Sequence, residues 1–315
     1  MKLIIQIPCF NEEATLPLTI RDLPQRIEGI DCIELLVIDD GSSDRTAEVA
    51  RQLGVQHVVS LPRNIGLAYA FSVGLETALR LGADIIVNTD GDNQYCGQDI
   101  PKLIQPILEG RAGMVIGDRQ VDTIAHFSPV KKKLQKLGSW MVRRVSGTEI
   151  PDATSGFRAF SRDTALRLVV FSRYTYTLET IIQAARKHIV VTSVPVRTNR
   201  KLRESRLVKG IFRYVWRSGL TIFRIVLMYE ALTVFLTLGL LLIGGGLLVS
   251  LRFLIFLAMG QGSGHVQSLI LASILFVLGF QNVLLGLLAN LLNANRLLNE
   301  EINYRLRKME FRGDQ

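Results

Sequence analysis

The sequence predicts an α/β domain with a mostly parallel sheet, followed by an amphipathic helix and two membrane-spanning helices. Short runs of Ile, Val and Leu alternate with helical stretches over residues 1–120, and two long uncharged apolar runs lie near the C-terminus. Strand–helix alternation indicates parallel strands joined by right-handed crossovers. Apolar runs longer than about 20 residues are long enough to cross a bilayer. We therefore expect an α/β domain attached to a membrane anchor.

Each element of the α/β region has a local signal. The predicted strands are continuous apolar runs, typical of strands buried on both faces of a sheet, and they are residues 3–7, 33–38, 84–89 and 113–117. The helices predicted between and after them are residues 12–28, 44–53, 66–81 and 99–109. Asp44 is expected to cap the second helix, and Pro101 suits the first turn of the fourth. Farther along, we predict a basic helix at 131–145, a helix at 174–187 and a strand at 189–196.

Three polar loops follow predicted strands, and they are residues 8–13, 39–44 and 90–95. The carboxyl ends of parallel strands lie at one edge of a sheet, where ligands of such sheets bind. These loops are therefore expected to converge on one crevice.

The composition of the chain limits the classes of binding partner that we expect. The chain has 315 residues, a net charge of +9 and 48% hydrophobic residues, with basic clusters at 131–144 and 197–217. Beside apolar runs, such clusters indicate anionic headgroups and phosphorylated ligands. Because no nucleic-acid-binding motif accompanies them, we expect no nucleic-acid partner.

Cysteine usage and the N-terminus indicate a reducing compartment. Cys9, Cys32 and Cys96 are scattered, with no Cys-x-x-Cys pair, and the four histidines share no zinc-type spacing. The apolar N-terminal stretch ends at Pro8 and is too short for a signal peptide.

The C-terminal third predicts a membrane hairpin. Lys209, Arg213 and Arg217 fall at i, i+4 and i+8, so residues 207–228 suit a helix in the membrane interface, or alternatively an ordinary surface helix. The uncharged runs 231–251 and 266–292 follow. The predicted organisation is an α/β domain at 1–206, the amphipathic helix at 207–228, a hairpin at 229–292 with spans at 229–259 and 266–292, and a basic tail at 293–315.

Basic residues flank the outer ends of the hairpin. The positive-inside tendency therefore predicts a two-pass protein with both termini and the α/β domain in the cytoplasm. Arg252 interrupts the end of the first span, where it would reach the interface or face a partner helix. The Gly244-Gly245-Gly246 triplet permits close helix approach and suggests a homo-oligomer through the membrane helices.

The acidic loops suggest a metal site. Asp90 and Asp92 follow an apolar strand, and two close carboxylates are unfavourable unless a cation joins them. Oxygen ligands without His or Cys suit Mg²⁺ or Mn²⁺, and Gln94 would add an amide oxygen. Asp39 and Asp40 suit hydrogen bonds to ribose or a base, while a turn with a helix cap explains Gly41, Ser42 and Asp44 but not these two.

Four segments in order, IPCFNEEA, IDDGSSDRTAE, TDGDNQY and DATSGFRAF, resemble family 2 glycosyltransferases. Within that family, residues 1–210 most resemble the dolichyl- and polyprenyl-phosphate sugar synthases. The resemblance implies a GT-A fold (Rossmann-like), a nucleotide-sugar donor, a divalent metal, and inversion at the anomeric carbon.

The resemblance also implies roles for individual residues. Those implied at the donor and metal are Pro8, Phe10 and Glu12 lining the nucleotide, Asp40 at the nucleoside, Asp90, Gly91, Asp92 and Gln94 at metal and diphosphate, and Arg119 near the reacting phosphates. KLRESRL at 201–207 resembles the family's RGESKL loop, which closes over the donor, and its matching residues are Ser205 and Arg206. The loop's first arginine is displaced here, with Arg200 or Arg203 as the substitute. Lys132 and Lys133 match a basic pair at the acceptor phosphate.

The function implied is transfer of a sugar from a UDP- or GDP-linked donor to a polyprenyl or dolichyl phosphate. A phosphate monoester is largely dianionic at neutral pH, so no general base is required. Asp92 and Glu179 are weaker proposals for a base. The alternatives are a family 2 transferase acting on a sugar hydroxyl, a processive polysaccharide synthase, for which two spans are too few, and a non-catalytic membrane scaffold.

Overall fold

The computed structural model describes residues 1–120, 139–140, 142–144, 146–170, 176–199, 211–260 and 266–311, with the backbone alone at 211–219, 221–226 and 228–229. The chain forms two compact units. One comprises Met1–Gly219 together with Glu301–Gln315, and the other comprises Leu220–Glu300.

The described part of the first unit contains one seven-stranded sheet. Its strands are β1 (Lys2–Cys9), β2 (Cys32–Asp39), β3 (His57–Ser60), β4 (Ile85–Asn88), β5 (Met114–Asp118), β6 (Arg158–Ser161) and β7 (Val191–Pro195). Their order is β3-β2-β1-β4-β6-β5-β7. Every adjacent pair is parallel except β4–β6 and β5–β6. The mostly parallel sheet expected from the sequence is confirmed, with β6 as its antiparallel member.

Helices connect most of these strands, namely α1 (Leu16–Asp22), α2 (Thr46–Gln52), α3 (Leu67–Arg80), α4 (Ile100–Leu108), α5 (Arg162–Arg167) and α6 (Thr177–Arg186). Pro101 lies in the first turn of α4, as predicted. The first helix is shorter than the predicted 12–28. It ends because Leu23 is extended, with ψ 141°, and the following Pro24 disfavours helical backbone at that position.

The core lies on both faces of the central strands. β1 is buried from its second residue onward, and β4 is buried throughout. Burial on both faces explains why their sequences are continuous apolar runs rather than alternating patterns.

Two strands were not predicted. β3 has only four residues and is half-buried at the edge of the sheet. β6 begins with Arg158 inside a polar segment, so its sequence lacks the apolar run that identifies a buried strand.

The second unit is built from two long helices. α7 (Ile211–Ala258) breaks at Glu230, where φ is −125° and ψ is 24°. α8 (Val266–Glu310) is continuous. Glu230–Ala258 and α8 each contain a window apolar enough to cross a membrane, with mean hydropathies of 2.4 and 2.2. Their large apolar side chains are mostly exposed.

Glycines allow these two helices to pack closely. A Cβ added to Gly239 would lie 2.8 Å from the Gly279 carbonyl oxygen, so a larger residue would separate the backbones. Gly246 packs against Phe276, whereas an added Cβ at Gly244 meets nothing within 4 Å. One member of the predicted glycine triplet thus serves packing within the hairpin, and homo-oligomerisation stays a prediction.

The last turns of α8 belong to the first unit. The helix runs through most of the predicted basic tail to Glu310, and residues from Glu301 onward group with the α/β unit. Ion pairs at i, i+4 support this stretch, since Arg296 pairs with Glu300 and Arg305 with Glu301.

Candidate active site

The site lies at the edge where the parallel strands end. β1, β2, β4 and β5 point the same way, so the residues that follow them arrive at one edge. β6 is antiparallel and therefore begins at that edge, which brings the polar segment before it to the same place. The convergence of loops 8–13, 39–44 and 90–95 follows from this topology.

The first two loops are joined by hydrogen bonds. The Asn11 backbone N–H donates to Ser42 Oγ at 2.9 Å, and the Ser43 N–H donates to Asn11 Oδ1 at 2.8 Å. Glu12 is 6% exposed, whereas Phe10 is 38% exposed. The joined loops therefore present an aromatic ring at the surface, where it can stack on a flat ligand.

Asp39 and Asp40 both have structural partners. The two carboxylate oxygens of Asp40 accept hydrogen bonds from the Ile65 and Gly66 backbone N–H groups, each at 2.9 Å. Asp39 Oδ1 accepts from the Ser42 N–H at 3.0 Å. These two aspartates, which a simple turn left unexplained, hold the loop before α3 and the loop after β2. A direct contact of Asp40 with a nucleoside stays a prediction.

The Asp90–Asp92 loop is packed against the end of β1. A Cβ added to Gly91 would lie 2.8 Å from Cys9 Sγ, so only glycine fits without a shift. Asp92 accepts from the Gln94 backbone N–H at 3.2 Å and from Gln94 Nε2 at 2.8 Å. Gln94 thus orients the Asp92 carboxylate, while its predicted role as a metal ligand stays untested.

Asp90 lies against the backbone of Gly156. A Cβ added there would be 3.2 Å from Asp90 Oδ1 and 3.0 Å from the Tyr176 hydroxyl. That hydroxyl accepts a hydrogen bond from Asn88 Nδ2 at 2.9 Å. Burial, with the Asp90 charge next, raises the pKa of Tyr176 well above its usual value. Tyr176 therefore stays neutral beside the carboxylate.

Arg119 is fixed by a buried carboxylate. Its Nε donates to Asp152 Oδ2 at 2.7 Å and its Nη2 donates to Asp152 Oδ1 at 2.9 Å. Burial opposes ionisation of both groups, but Asp152, Tyr95 and Asp90 together raise the pKa of Arg119, and Arg119 lowers that of Asp152. The result is a cation held in a fixed position near the acidic loop, with Nε and Nη2 engaged by Asp152 and Thr154.

Arg158 braces the segment before β6. It is fully buried and donates to the carbonyls of Ala153, Ser155 and Thr177 at 2.7 to 2.8 Å. Burial lowers its pKa to about 10, so it remains charged at neutral pH. Both Asp152 and Arg158 lie in the DATSGFRAF segment, but the sequence alone predicts no role for either residue. The position of Arg158 between apolar residues could have indicated a buried arginine. A buried charge needs several hydrogen-bond partners, so such an arginine is expected to hold the segments around it.

Negative charge is concentrated at this edge. The pKa of the Cys9 thiol is raised well above normal by burial and then by Glu12, Asp39, Asp90 and Asp92. Cys9 therefore stays a neutral thiol, a poor ligand for a hard cation. The four carboxylates that raise the pKa of Cys9 make this edge negative, which favours a cation.

The donor set fits Mg²⁺ or Mn²⁺. Asp90 and Asp92 offer carboxylate oxygens, and the described residues contain no group of three or more His, Cys, Asp or Glu arranged to hold a metal. An ion here would complete its coordination with phosphate oxygens and water, which is how Mg²⁺ is usually bound beside substrate phosphates.

The structure brings to this edge the residues predicted to contact the nucleotide, the metal and the diphosphate. They are Pro8, Phe10, Glu12, Asp40, Asp90, Gly91, Asp92, Gln94 and Arg119. The predicted acceptor-side and closing-loop residues lie outside the described part of the chain, and they are Lys132, Lys133, Arg200, Arg203, Ser205 and Arg206. Glu179 is 2% exposed within α6, which favours a structural role.

The chain leading to the closing loop is attached to the acidic loop. The Asn199 backbone N–H donates to the Gln94 carbonyl at 2.9 Å, and its Nδ2 donates to the Tyr95 carbonyl at 3.2 Å. Arg197 forms an ion pair with the buried Asp99 at 2.8 Å, which lowers the pKa of Asp99 against the effect of burial. Residues 197–199 therefore reach the acidic loop.

Comparison with known proteins identifies the family of the chain. The model of the family described as "Glycosyl transferase family 2" matches residues 4–168. A UDP-N-acetylglucosamine–dolichyl-phosphate N-acetylglucosaminyltransferase from Methanococcus voltae is 30% identical over 61% of this chain and 83% of its own length. An undecaprenyl-phosphate mannosyltransferase from Micrococcus luteus is 28% identical over 67% of this chain and 89% of its own.

Solved structures agree on the fold. Glucosyl-3-phosphoglycerate synthase from Mycobacterium tuberculosis, in complex with Mn²⁺, uridine diphosphate and phosphoglyceric acid, superposes with a TM-score of 0.55. It is 21% identical, and the match covers 70% of this chain and 78% of that one. At this identity the likeness supports the GT-A-like fold alone. The family match covers more than half of the chain, and the strand-edge site has the acidic loop that the four sequence segments imply. The chain is a glycosyltransferase and belongs to glycosyl transferase family 2.

Proposed function

We propose that this chain is an inverting transferase that moves a sugar from a UDP- or GDP-linked donor to a polyprenyl or dolichyl phosphate. One observation carries the proposal. A family 2 site with Asp90 and Asp92 occurs in the same chain as two helices apolar enough to cross a membrane. Relatives named as polyprenyl- or dolichyl-phosphate sugar transferases support the same acceptor class.

The donor nucleotide binds over the loops after β1 and β2. The exposed ring of Phe10 stacks on the base, while Asn11, Asp39 and Asp40 hold the two loops in position. Pro8 and Glu12 line the same side, and Asp40 additionally contacts the nucleoside.

The donor diphosphate lies beside the acidic loop. Asp90 and Asp92 would hold Mg²⁺ or Mn²⁺, and the ion when bound supplies positive charge to the departing diphosphate. Gln94 keeps Asp92 oriented. Arg119, held by Asp152, provides a second fixed cation. Positive groups placed in advance where charge develops lower the barrier without reorganising.

The acceptor phosphate attacks without a general base. One of its oxygens forms the bond to the anomeric carbon from the face opposite the leaving group, and the bond from that carbon to the diphosphate breaks with its electron pair. A phosphate monoester has a second pKa near 6, so no proton needs to be removed at neutral pH. Positioning and charge compensation are therefore the enzyme's main tasks.

The acceptor side uses the basic residues predicted from the sequence. We assign phosphate binding to Lys132, Lys133, and Arg200 or Arg203, and closure over the donor to Ser205 and Arg206. The hydrogen bonds from Asn199 to residues 94 and 95 support this, because Asn199 directly precedes that segment.

The apolar helices place the enzyme at its acceptor. Two spans, Glu230–Ala258 and the apolar part of α8, form a two-pass hairpin in the lipid bilayer, with the α/β unit and both termini in the cytoplasm. A polyprenyl phosphate keeps its tail in the bilayer, so an anchored enzyme meets it at high local concentration.

A transfer assay tests the proposal. Membranes containing the protein are incubated with labelled UDP- and GDP-sugars, polyprenyl phosphate and Mg²⁺ or Mn²⁺, and the lipid phase is extracted. Label from one donor should enter the lipid phase. Asp92→Asn should abolish this, whereas Asp31→Asn, the same change at a side chain that is 88% exposed, should not. Failure of every donor to label lipid would overturn the proposed function.

A further inference from the structure

The end of α8 docks on the α/β unit through an apolar anchor and charged groups. We define residues 304–311 as the C-terminal strap. Phe311 is 3% exposed, and the Arg80 guanidinium lies 5.5 Å from the centre of its ring. Arg162 donates to the Phe311 carbonyl at 3.0 Å and to the Ala83 carbonyl at 3.0 Å. One arginine thus joins the strap to the end of α3.

The strap also contacts α5. Tyr304 donates from its hydroxyl to Asp163 at 2.8 Å, and the Arg167 guanidinium lies 4.6 Å from its ring centre. Arg307 donates to the Leu168 carbonyl at 2.9 Å, and burial lowers the pKa of Arg307. Because Arg307 bonds a carbonyl at the end of α5, its removal would leave that acceptor unpaired.

A series of contacts leads from the residues under the strap to the candidate active site. Val169, next to Leu168, donates its backbone N–H to Gln183 on α6 at 3.1 Å. α6 is preceded by Tyr176, which lies close to Asp90, and its first residue accepts from Arg158. The strap therefore rests on α5 and Leu168, and the neighbouring Val169 contacts the helix that supports one side of the acidic loop.

The strap and the second span share one helix. α8 is continuous from Val266 to Glu310, with its apolar run ending near 292. With the strap docked, the α/β unit is connected to the apolar helices both through α7 and through α8. Without the docked strap, the connection through α7 is the one that remains between the described parts of the α/β unit and the apolar helices. Removing one of two tethers lowers the effective concentration of a site for a target held elsewhere in the same assembly.

We propose that the C-terminal strap is a positioning device for the membrane-held acceptor. Its docking is needed for efficient transfer to a polyprenyl phosphate in a bilayer, and it is not needed for donor binding or for transfer to a short water-soluble isoprenyl phosphate. Tyr304, Arg307 and Phe311 are its positioning residues. The inference rests on the proposed function.

The test compares two acceptors with full-length protein in liposomes. The variants are Phe311→Ala, Arg307→Ala and the milder Tyr304→Phe. We expect transfer to a long-chain polyprenyl phosphate to fall about tenfold for the first two variants, as expected for loss of one tether. Transfer to citronellyl phosphate and affinity for the donor nucleotide should change less than about twofold. Arg305→Ala is the matched control, because Arg305 is 74% exposed and its ion partner among the described residues is Glu301, on its own helix.

The outcomes separate the two proposals. An equal loss with both acceptors would mean that the strap merely stabilises the fold, and unchanged long-chain transfer would mean that docking is dispensable; either result overturns the inference. Phe311→Leu, which keeps an apolar anchor, should restore most long-chain transfer. If the wild-type protein uses neither phosphate, the proposed function itself fails.

Discussion

Gly156→Ala is a sharp test of the proposed site, because the new methyl group would contact the Asp90 carboxylate directly. The added Cβ would lie 3.0 Å from the Tyr176 hydroxyl and 3.2 and 3.3 Å from the two oxygens of Asp90. The backbone φ angle of Gly156 is not positive, so an alanine can adopt the same backbone conformation. The substitution therefore acts through these side chains and not through backbone strain.

The expected magnitude follows from the contacts. Ordinary carbon–oxygen contacts lie a few tenths of an ångström farther out, so Asp90 must move by about that amount or Tyr176 must give way. Displacing a positioned group by about 1 Å can cost about a hundredfold in rate, so a shift of this size should cost about tenfold. Crowding should lower stability by about 1 kcal/mol.

The assay measures initial transfer rates across a range of Mg²⁺ or Mn²⁺ concentrations, together with the melting temperature in detergent. We expect Gly156→Ala to require more metal for half-maximal rate and to be slower at saturation. Gly244→Ala is the matched control, since an added Cβ there meets nothing within 4 Å. Wild-type rate and metal dependence in Gly156→Ala would refute the placement of Asp90 in the metal and diphosphate site.

Three further predictions concern other parts of the site. Asp92→Asn should lower transfer by about a hundredfold or more while the circular dichroism spectrum is unchanged, since the site loses a charged oxygen ligand; near-normal turnover would contradict the metal assignment. Phe10→Ala should raise the donor KM about tenfold with little change in kcat, and Phe10→Tyr should restore it, because the loss is of stacking on the base. Arg119 lowers the pKa of Asp152 below its usual 3.8, so the pair stabilises the fold above that pH and loses this contribution as acid protonates Asp152. Asp152→Asn should therefore be less stable than wild type at pH 7, with the difference shrinking below about pH 4 in denaturant titrations.

The sequence predicted the parts of the fold that depend on a long apolar signal. β1 and β4 are buried along almost their whole length, so their apolar runs were readable. The edge strand β3 and the strand starting at Arg158 lack such runs, and tertiary packing alone makes them strands. The charged residues at the end of α8 predict a polar tail. The sequence does not indicate that Phe311 is a buried apolar anchor, because its partner Arg162 lies more than a hundred residues away in the chain.

The candidate site was predictable in its location and less so in its hydrogen bonds. Loops after parallel strands must meet at one edge, so residues 8–13, 39–44 and 90–95 could be grouped from topology, whereas Arg119 was placed there only by the resemblance to family 2 glycosyltransferases. The partners of Asp40 are backbone N–H groups at Ile65 and Gly66. Because every residue except proline has a backbone N–H group, no sequence motif predicts a hydrogen bond from such a group to Asp40.

In the part of the site that the structure describes, the charged side chains are held in fixed positions by hydrogen bonds within the protein. Arg119 is held by Asp152, and the segment bearing Asp152 is held by Arg158, whose hydrogen bonds in the described part of the chain go to backbone carbonyls and the Thr180 hydroxyl. Burying a second guanidinium in this way opposes its ionisation, and its hydrogen bonds to the carbonyls compensate for that cost. A reaction whose nucleophile is already ionised gains little from proton transfer and much from such fixed charges. The fixed position of Arg119 therefore suits the proposed mechanism, in which no general base is required.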